Sequence, residues 1–182
     1  FRSYSMMNRT IDNTIAVPDK FTEQLSDFVN QYFELKNSLV KSDFQPTQSN
    51  SKKLESILNK IDMKLLDEKA HSVWMEQYLK LKKVIGQLQA AKDIEKQREL
   101  FSVLSNQIIE TVETFELKIQ TVYIAYCPMA LGDKGAYWLS EIEEINNPYF
   151  GDIMLRCGEV KKEIKMKGKH ETKINQPQGH QH

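Results

Sequence analysis

The apolar residues of the first two-thirds of the chain recur at helical spacing. From about Asp19 to Lys41 they fall at Phe21, Leu25, Phe28, Tyr32, Leu35 and Leu39, in steps that alternate four and three. That is the stripe of a helix packed along one face. Pro18 suits the first helical position, and Asp19 and Glu23 place negative charge in the first turn, where the helix dipole favours it. The polar stretch Ser42–Asn50, with Pro46 inside it, interrupts the pattern. A second helix is expected from about Ser51 to Leu66 on Leu54, Ile57, Leu58, Ile61 and Leu65. A third spans roughly Glu68 to Ala91 on Trp74, Tyr78, Leu81, Ile85 and Leu88. Asp93 reads as the N-cap of a fourth, which carries Ile94, Phe101, Leu104, Ile108, Val112 and Phe115. With no breaker before Pro128, that helix is expected to run on to about Tyr126, although Thr121–Tyr126 is the one stretch suited to an extended conformation.

Four amphipathic helices with short connections predict an all-α fold, an antiparallel four-helix bundle followed by a Cys/Met-containing loop and a short helix. Residues 1–17 carry no sustained period and read as a linker or the end of an upstream region. Residues 18–164 form the helical domain, divided into a bundle (18–126) and a motif segment (127–158). The polar stretch 165–182 reads as a disordered tail.

The chain has 182 residues, enough to bury a core without metal or disulfide support. Lys plus Arg and Asp plus Glu each number 25, so the formal charge is zero. This balance argues against nucleic acid, which needs a basic surface, and gives no support for attachment to an anionic membrane. No apolar run approaches the roughly 18 residues of a spanning helix, so no direct membrane insertion is expected. The first residue is Phe1, as expected of a mature form or a fragment. No phosphate loop, G-x-S-x-G or H-E-x-x-H motif is present. His71 is the only histidine before the tail, and so the only one there to pair with a cysteine nucleophile. No enzyme and no organic cofactor are expected.

Residues 127–158 hold both cysteines, two methionines and most of the glycines. A bundle needs none of these to fold. Cys127-Pro128-Met129 sets a thiol beside a thioether, and Pro128 prevents a regular helix from continuing through Cys127. Met154 and Cys157 are three apart; if Asp152 caps a short helix, both sulfurs share one face. Two soft-donor pairs at turns suit Cu(I) or Ag(I) better than hard cations, and the absence of histidine or carboxylate from the set makes zinc less natural. The candidate ligands are Cys127, Met129, Met154 and Cys157, with His71 and Met75 as additional donors. Trp138, Tyr149 and Phe150 are candidate shields from water. The alternative is a Cys127–Cys157 disulfide that pins the segment to the bundle, with the methionines as core filler.

The stretch Tyr126–Gly158 resembles a family of domains from Bacteroidetes-type bacteria. The matching phrases are Tyr126–Ala130 (YCPMA), Lys134–Ser140 (KGAYWLS), Asn147–Gly151 (NPYFG), Met154–Leu155 and Cys157–Gly158. Upstream, Leu39–Asp43, Asp62–Leu66 and His71…Trp74-Met75 extend the likeness over about residues 20–165. Members of that family occur alone or at the C-terminus of CusB-like periplasmic adaptors of copper/silver efflux pumps. The phrase Cys127-Pro128-Met129 is also similar to the CPM motif of small heavy-metal-binding domains attached to such adaptors. Those domains continue with His and Pro, where this chain has Ala130 and Leu131. The resemblance implies a periplasmic, metal-handling domain with efflux adaptor or pump components as partners.

Overall fold

A computed structural model describes residues 14–119 and 121–165. Residues 166–182 of the expected tail (165–182) and residues 1–13 of the expected linker lie outside the described residues, while Lys165, the first residue of that tail, ends a strand.

Four helices form as the apolar spacing requires: α1 (Asp19–Val40), α2 (Phe44–Lys60), α3 (Glu68–Ala90) and α4 (Ile94–Thr114). Asp67 and Asp93 cap α3 and α4, accepting from the backbone N–H of Ala70 and of Lys96, each at 2.8 Å. The stripe residues Phe21, Leu25, Phe28, Tyr32, Leu35, Leu39, Leu81, Ile85, Phe101, Leu104 and Ile108 are all fully buried. At one end of this core Phe21, Trp74 and Phe115 pack edge to face, with ring centroids 5.4–6.0 Å apart. Pairs of this kind contribute about 0.5–1.5 kcal/mol beyond the area they bury.

Two helix boundaries differ from the sequence expectation. α2 begins at Phe44, and Pro46 lies within its first turn rather than in a break. The first four backbone N–H groups of a helix have no partner in the helix, so a proline there forfeits no hydrogen bond. The added turn buries a hydroxyl, Thr47, bonded to Ser38 Oγ at 2.9 Å. α2 also stops at Lys60; Ile61 is extended, and a single 3-10 turn, Met63–Leu65, follows on the Asp62 side chain. Upstream of α1, Ile15 donates its N–H to Thr114 O at 2.9 Å, and Ile15 and Val17 pack on the core.

The larger correction concerns the C-terminal third, because the fold is not all-α. α4 ends at Thr114, and the chain becomes a three-stranded antiparallel sheet of order β2-β1-β3: β1 (Thr121–Cys127), β2 (Ala136–Ser140) and β3 (Glu159–Lys165). Thr121, Val122, Tyr123, Ile124 and Tyr126 are β-branched or aromatic and favour a pleated surface over a helix once partner strands exist. β1 pairs with β2 from Tyr123↔Ser140 to Cys127↔Ala136. It pairs with β3 from Thr121↔Lys165 to Tyr126↔Glu159, with a bulge opposite Ile124 and Ala125. The sheet packs on α4 through β2, and Leu139 donates its N–H to the buried Tyr32 hydroxyl at 3.1 Å. No helix among the described residues is long and apolar enough to cross a membrane.

Candidate functional site

Cys127 is the last residue of β1. The ladder to β2 fixes its backbone, and its side chain is fully buried. Cys157 arrives from the other end of the motif segment, where its N–H donates to Met154 O at 3.1 Å. The two Sγ atoms lie 3.0 Å apart, and both cysteines are free thiols. Two residues thirty positions apart in sequence are therefore in direct side-chain contact. The hydrogen bond from Cys127 is the main cause, with burial second, that pushes the Cys157 thiol up to about 11.

Asn147 holds the Cys157 turn in place. It is fully buried and bonds the local backbone through both its side-chain amide and its own N–H. Its Nδ2 donates to Cys157 O at 2.7 Å, its N–H to Leu155 O at 2.8 Å, and its Oδ1 accepts from Tyr149 N and Phe150 N at 2.8 and 3.3 Å. Gly158, at φ 130°, brings the chain back onto the sheet. A Cβ there would sit 2.9 Å from the Tyr126 carbonyl oxygen and 3.1 Å from the Trp138 indole, so only glycine permits the approach. A second anchor ties the segment to the bundle. Arg98 of α4 donates from Nε to Pro148 O at 3.0 Å and from Nη2 to Ser42 Oγ at 2.9 Å and Leu39 O at 3.3 Å. Glu141, just after β2, pairs with Lys36, a lysine only 1 % exposed on α1, and burial pulls that ammonium below its ordinary range against the pull of Glu141.

The other candidates take varied positions. Trp138 is buried and meets Tyr149 edge to face, centroids 5.9 Å apart. Tyr149 is buried too, donates its hydroxyl to Tyr137 O, and is held well above the ordinary phenol range by burial. Phe150 is half-buried against the core. The expected short helix is one 3-10 turn, Gly151–Ile153, which ends before Met154. Helical spacing therefore does not align Met154 with Cys157, although Met154, half-buried, still adjoins it through the backbone bond. Met129 follows Cys127 at the hairpin turn and is 47 % exposed. His71 is exposed on the first turn of α3 and Met75 half-buried one turn on, in a helix packed on α2 and α4. No group of three His, Cys, Asp or Glu suited to a metal ion occurs among the described residues. The donors brought together are the two thiols.

Asn147, Arg98 and Gly158 escaped the sequence reading as supports of this pair. Asn147 enters the sequence reading only within the phrase Asn147–Gly151, which does not declare what its amide holds.

A helical bundle bearing a small sheet with a dithiol at one strand end defines the class of domain. The chain belongs to the family described as Protein of unknown function (DUF3347), whose model matches residues 28–120. The matched stretch covers most of α1 through α4 and stops short of β1, so it does not include the cysteines. No curated protein and no solved structure matches the chain.

Proposed function

We propose that this domain binds a soft monovalent cation, Cu(I) or Ag(I), between Cys127 and Cys157, without catalysis. The observation that carries the reading is the 3.0 Å contact between two free thiols. Tetrahedral bonds of about 2.3 Å place two thiolate sulfurs about 3.8 Å apart. The pair must therefore open by somewhat less than 1 Å to admit such an ion, and more for a linear one. Cys127 is held in the ladder, so the movement falls to the side chain of Cys157. Polarisable sulfur selects Cu(I) or Ag(I) over hard cations. Met129 and Met154 neighbour the cysteines in sequence and are the candidate third donors, while Trp138 and Tyr149 limit access of water. The resemblance to domains of CusB-like adaptors supports a periplasmic location and efflux adaptor or pump components as partners, with ligand exchange as the means of transfer.

The test is competition of reduced full-length protein with a chromophoric Cu(I) chelator, beside a Cys127→Ser/Cys157→Ser variant. At least a hundredfold loss of affinity in the variant is expected for two lost thiolates (~2.7 kcal/mol or more). Equal affinity in both would end the proposal. His170, His180 and His182 are present in both proteins, so they cannot produce the difference.

A second reading has its own support. The same 3.0 Å separation is about 1 Å longer than a disulfide bond. A structural Cys127–Cys157 bridge would contribute about 3–4 kcal/mol by closing its loop. Mass spectrometry of protein isolated from the periplasm under thiol-trapping conditions separates the two readings.

A further inference from the structure

The two sulfurs are in contact but differ in access. Cys127 is fully buried at the end of a strand paired on both sides, whereas Cys157 is partly exposed on the turn between Met154 and Gly158. The fastening of that turn is to backbone: Asn147 Nδ2 on Cys157 O, Asn147 N on Leu155 O and Cys157 N on Met154 O. None of these bonds involves the Cys157 side chain, so its sulfur can rotate while its backbone stays fixed. A reagent approaching from solvent meets Cys157 first. Cys127, fully buried, offers such a reagent no exposed surface.

We propose that Cys157 and Cys127 form an ordered thiol–disulfide exchange site for low-molecular-weight disulfides, in which Cys157 is the entry sulfur and Cys127 the resolving one. In the first step the Cys157 thiolate attacks one sulfur of a small disulfide RSSR. A Cys157–S–SR bond forms, the RS–SR bond breaks, and RS⁻ leaves. In the second step Cys127, its proton passing to solvent, attacks Cys157 Sγ from within the 3.0 Å contact. The Cys127–Cys157 bond forms and the second RS⁻ leaves. Two electrons pass from the two thiols to the external disulfide, which is reduced to two thiols. The second step is intramolecular between atoms already in contact, so it outruns the first and no mixed disulfide accumulates. The chemistry needs no metal and goes beyond the cation-binding reading. Where both hold, small disulfides remove both thiolate ligands in one two-electron step.

The experiment uses metal-free, fully reduced full-length protein and 5,5′-dithiobis(2-nitrobenzoate) as the probe disulfide. Wild type is expected to release two equivalents of coloured thiolate in one phase whose rate is linear in reagent, and to end lighter by two hydrogens with no adduct. Cys127→Ser should stop at one stable adduct mapped to Cys157. Cys157→Ser, folded by circular dichroism, should react more slowly than Cys127→Ser by at least about tenfold, because its remaining thiol is enclosed. Two persistent adducts on wild type would overturn the proposal, as would a Cys157→Ser variant as fast as Cys127→Ser. If Cys157→Ser does not fold, reduced wild type treated with less than one equivalent of iodoacetamide, whose adduct cannot be resolved by the second thiol, decides: a first adduct mapped to Cys157 supports the order, and one mapped first to Cys127 refutes it. Because no copper is present, a negative result here leaves the cation reading standing, and the reverse also holds.

Discussion

At the scale of single residues, the contact between Cys127 and Cys157 sets the chemistry of both. With its thiol held at about 11, Cys157 is protonated at neutral pH. Its alkylation by iodoacetamide should therefore rise about tenfold per pH unit from 7 to 10 and level off only near that value. In Cys127→Ser, which loses the sulfur partner, the midpoint should fall toward the ordinary thiol range of about 8.5. A plateau below pH 9 in the wild type would contradict the assigned contact. Gly158 is the other sensitive position. Gly158→Ala combines a left-handed backbone with a Cβ 2.9 Å from the Tyr126 carbonyl. A loss of about 1–3 kcal/mol in urea unfolding is expected, together with slower closure of the dithiol as the turn is pushed off β1. The sequence placed four sulfurs in one segment, and of these the structure brings the two thiols together. Their sorting was not legible, because whether a sulfur meets its partner depends on strand register and on a glycine whose φ is invisible in sequence.

At the scale of elements, helices were readable because each carries its own period. The boundaries that slipped did so for local reasons: Pro46 costs nothing in a first turn, and Ile61 leaves the helix to extend. The strands were less readable because their partners are remote. β1 alone resembles a helix extension, and it becomes a strand by pairing with Ala136–Ser140 and Glu159–Lys165. Val160, Lys162 and Ile164 do not declare an apolar face, since β3 is an edge strand with a bulge. The sheet is fastened to the helices by Lys36 and Glu141. Glu141→Ala would leave a buried ammonium unpaired, and a loss of about 3 kcal/mol is expected by chemical denaturation. Lys36→Met, which removes the charge and keeps the stem, should cost less than about 1 kcal/mol or stabilise. Similar losses in both variants would show that the pair contributes through packing alone.

At the scale of the whole molecule, the division of labour is physical. The bundle buries its stripes, and Trp138, Leu139 and Tyr149 of the C-terminal third join the same core, Tyr149 meeting Phe101 with ring centroids 5.7 Å apart. The sheet and the 141–158 segment bring two thiols together at one strand end and hold them through Asn147 and Arg98. Arg98 is the long-range member of that support, reaching from α4 to Pro148, Ser42 and Leu39. Arg98→Ala should leave the helical circular dichroism unchanged while loosening the 141–158 segment. Hydrogen exchange of the Tyr149–Cys157 amides should accelerate at least about tenfold, with α1–α4 protected as before.

A cation held at this dithiol takes Cys127 and Cys157 into its first coordination shell under the proposed function. X-ray absorption at the copper edge, on reduced full-length protein loaded with one equivalent of Cu(I), reads that shell directly. An all-sulfur shell that is lost in Cys127→Ser/Cys157→Ser is expected. A shell dominated by nitrogen or oxygen, or a sulfur shell that survives in the double variant, would contradict the assignment of Cys127 and Cys157 as the ligands.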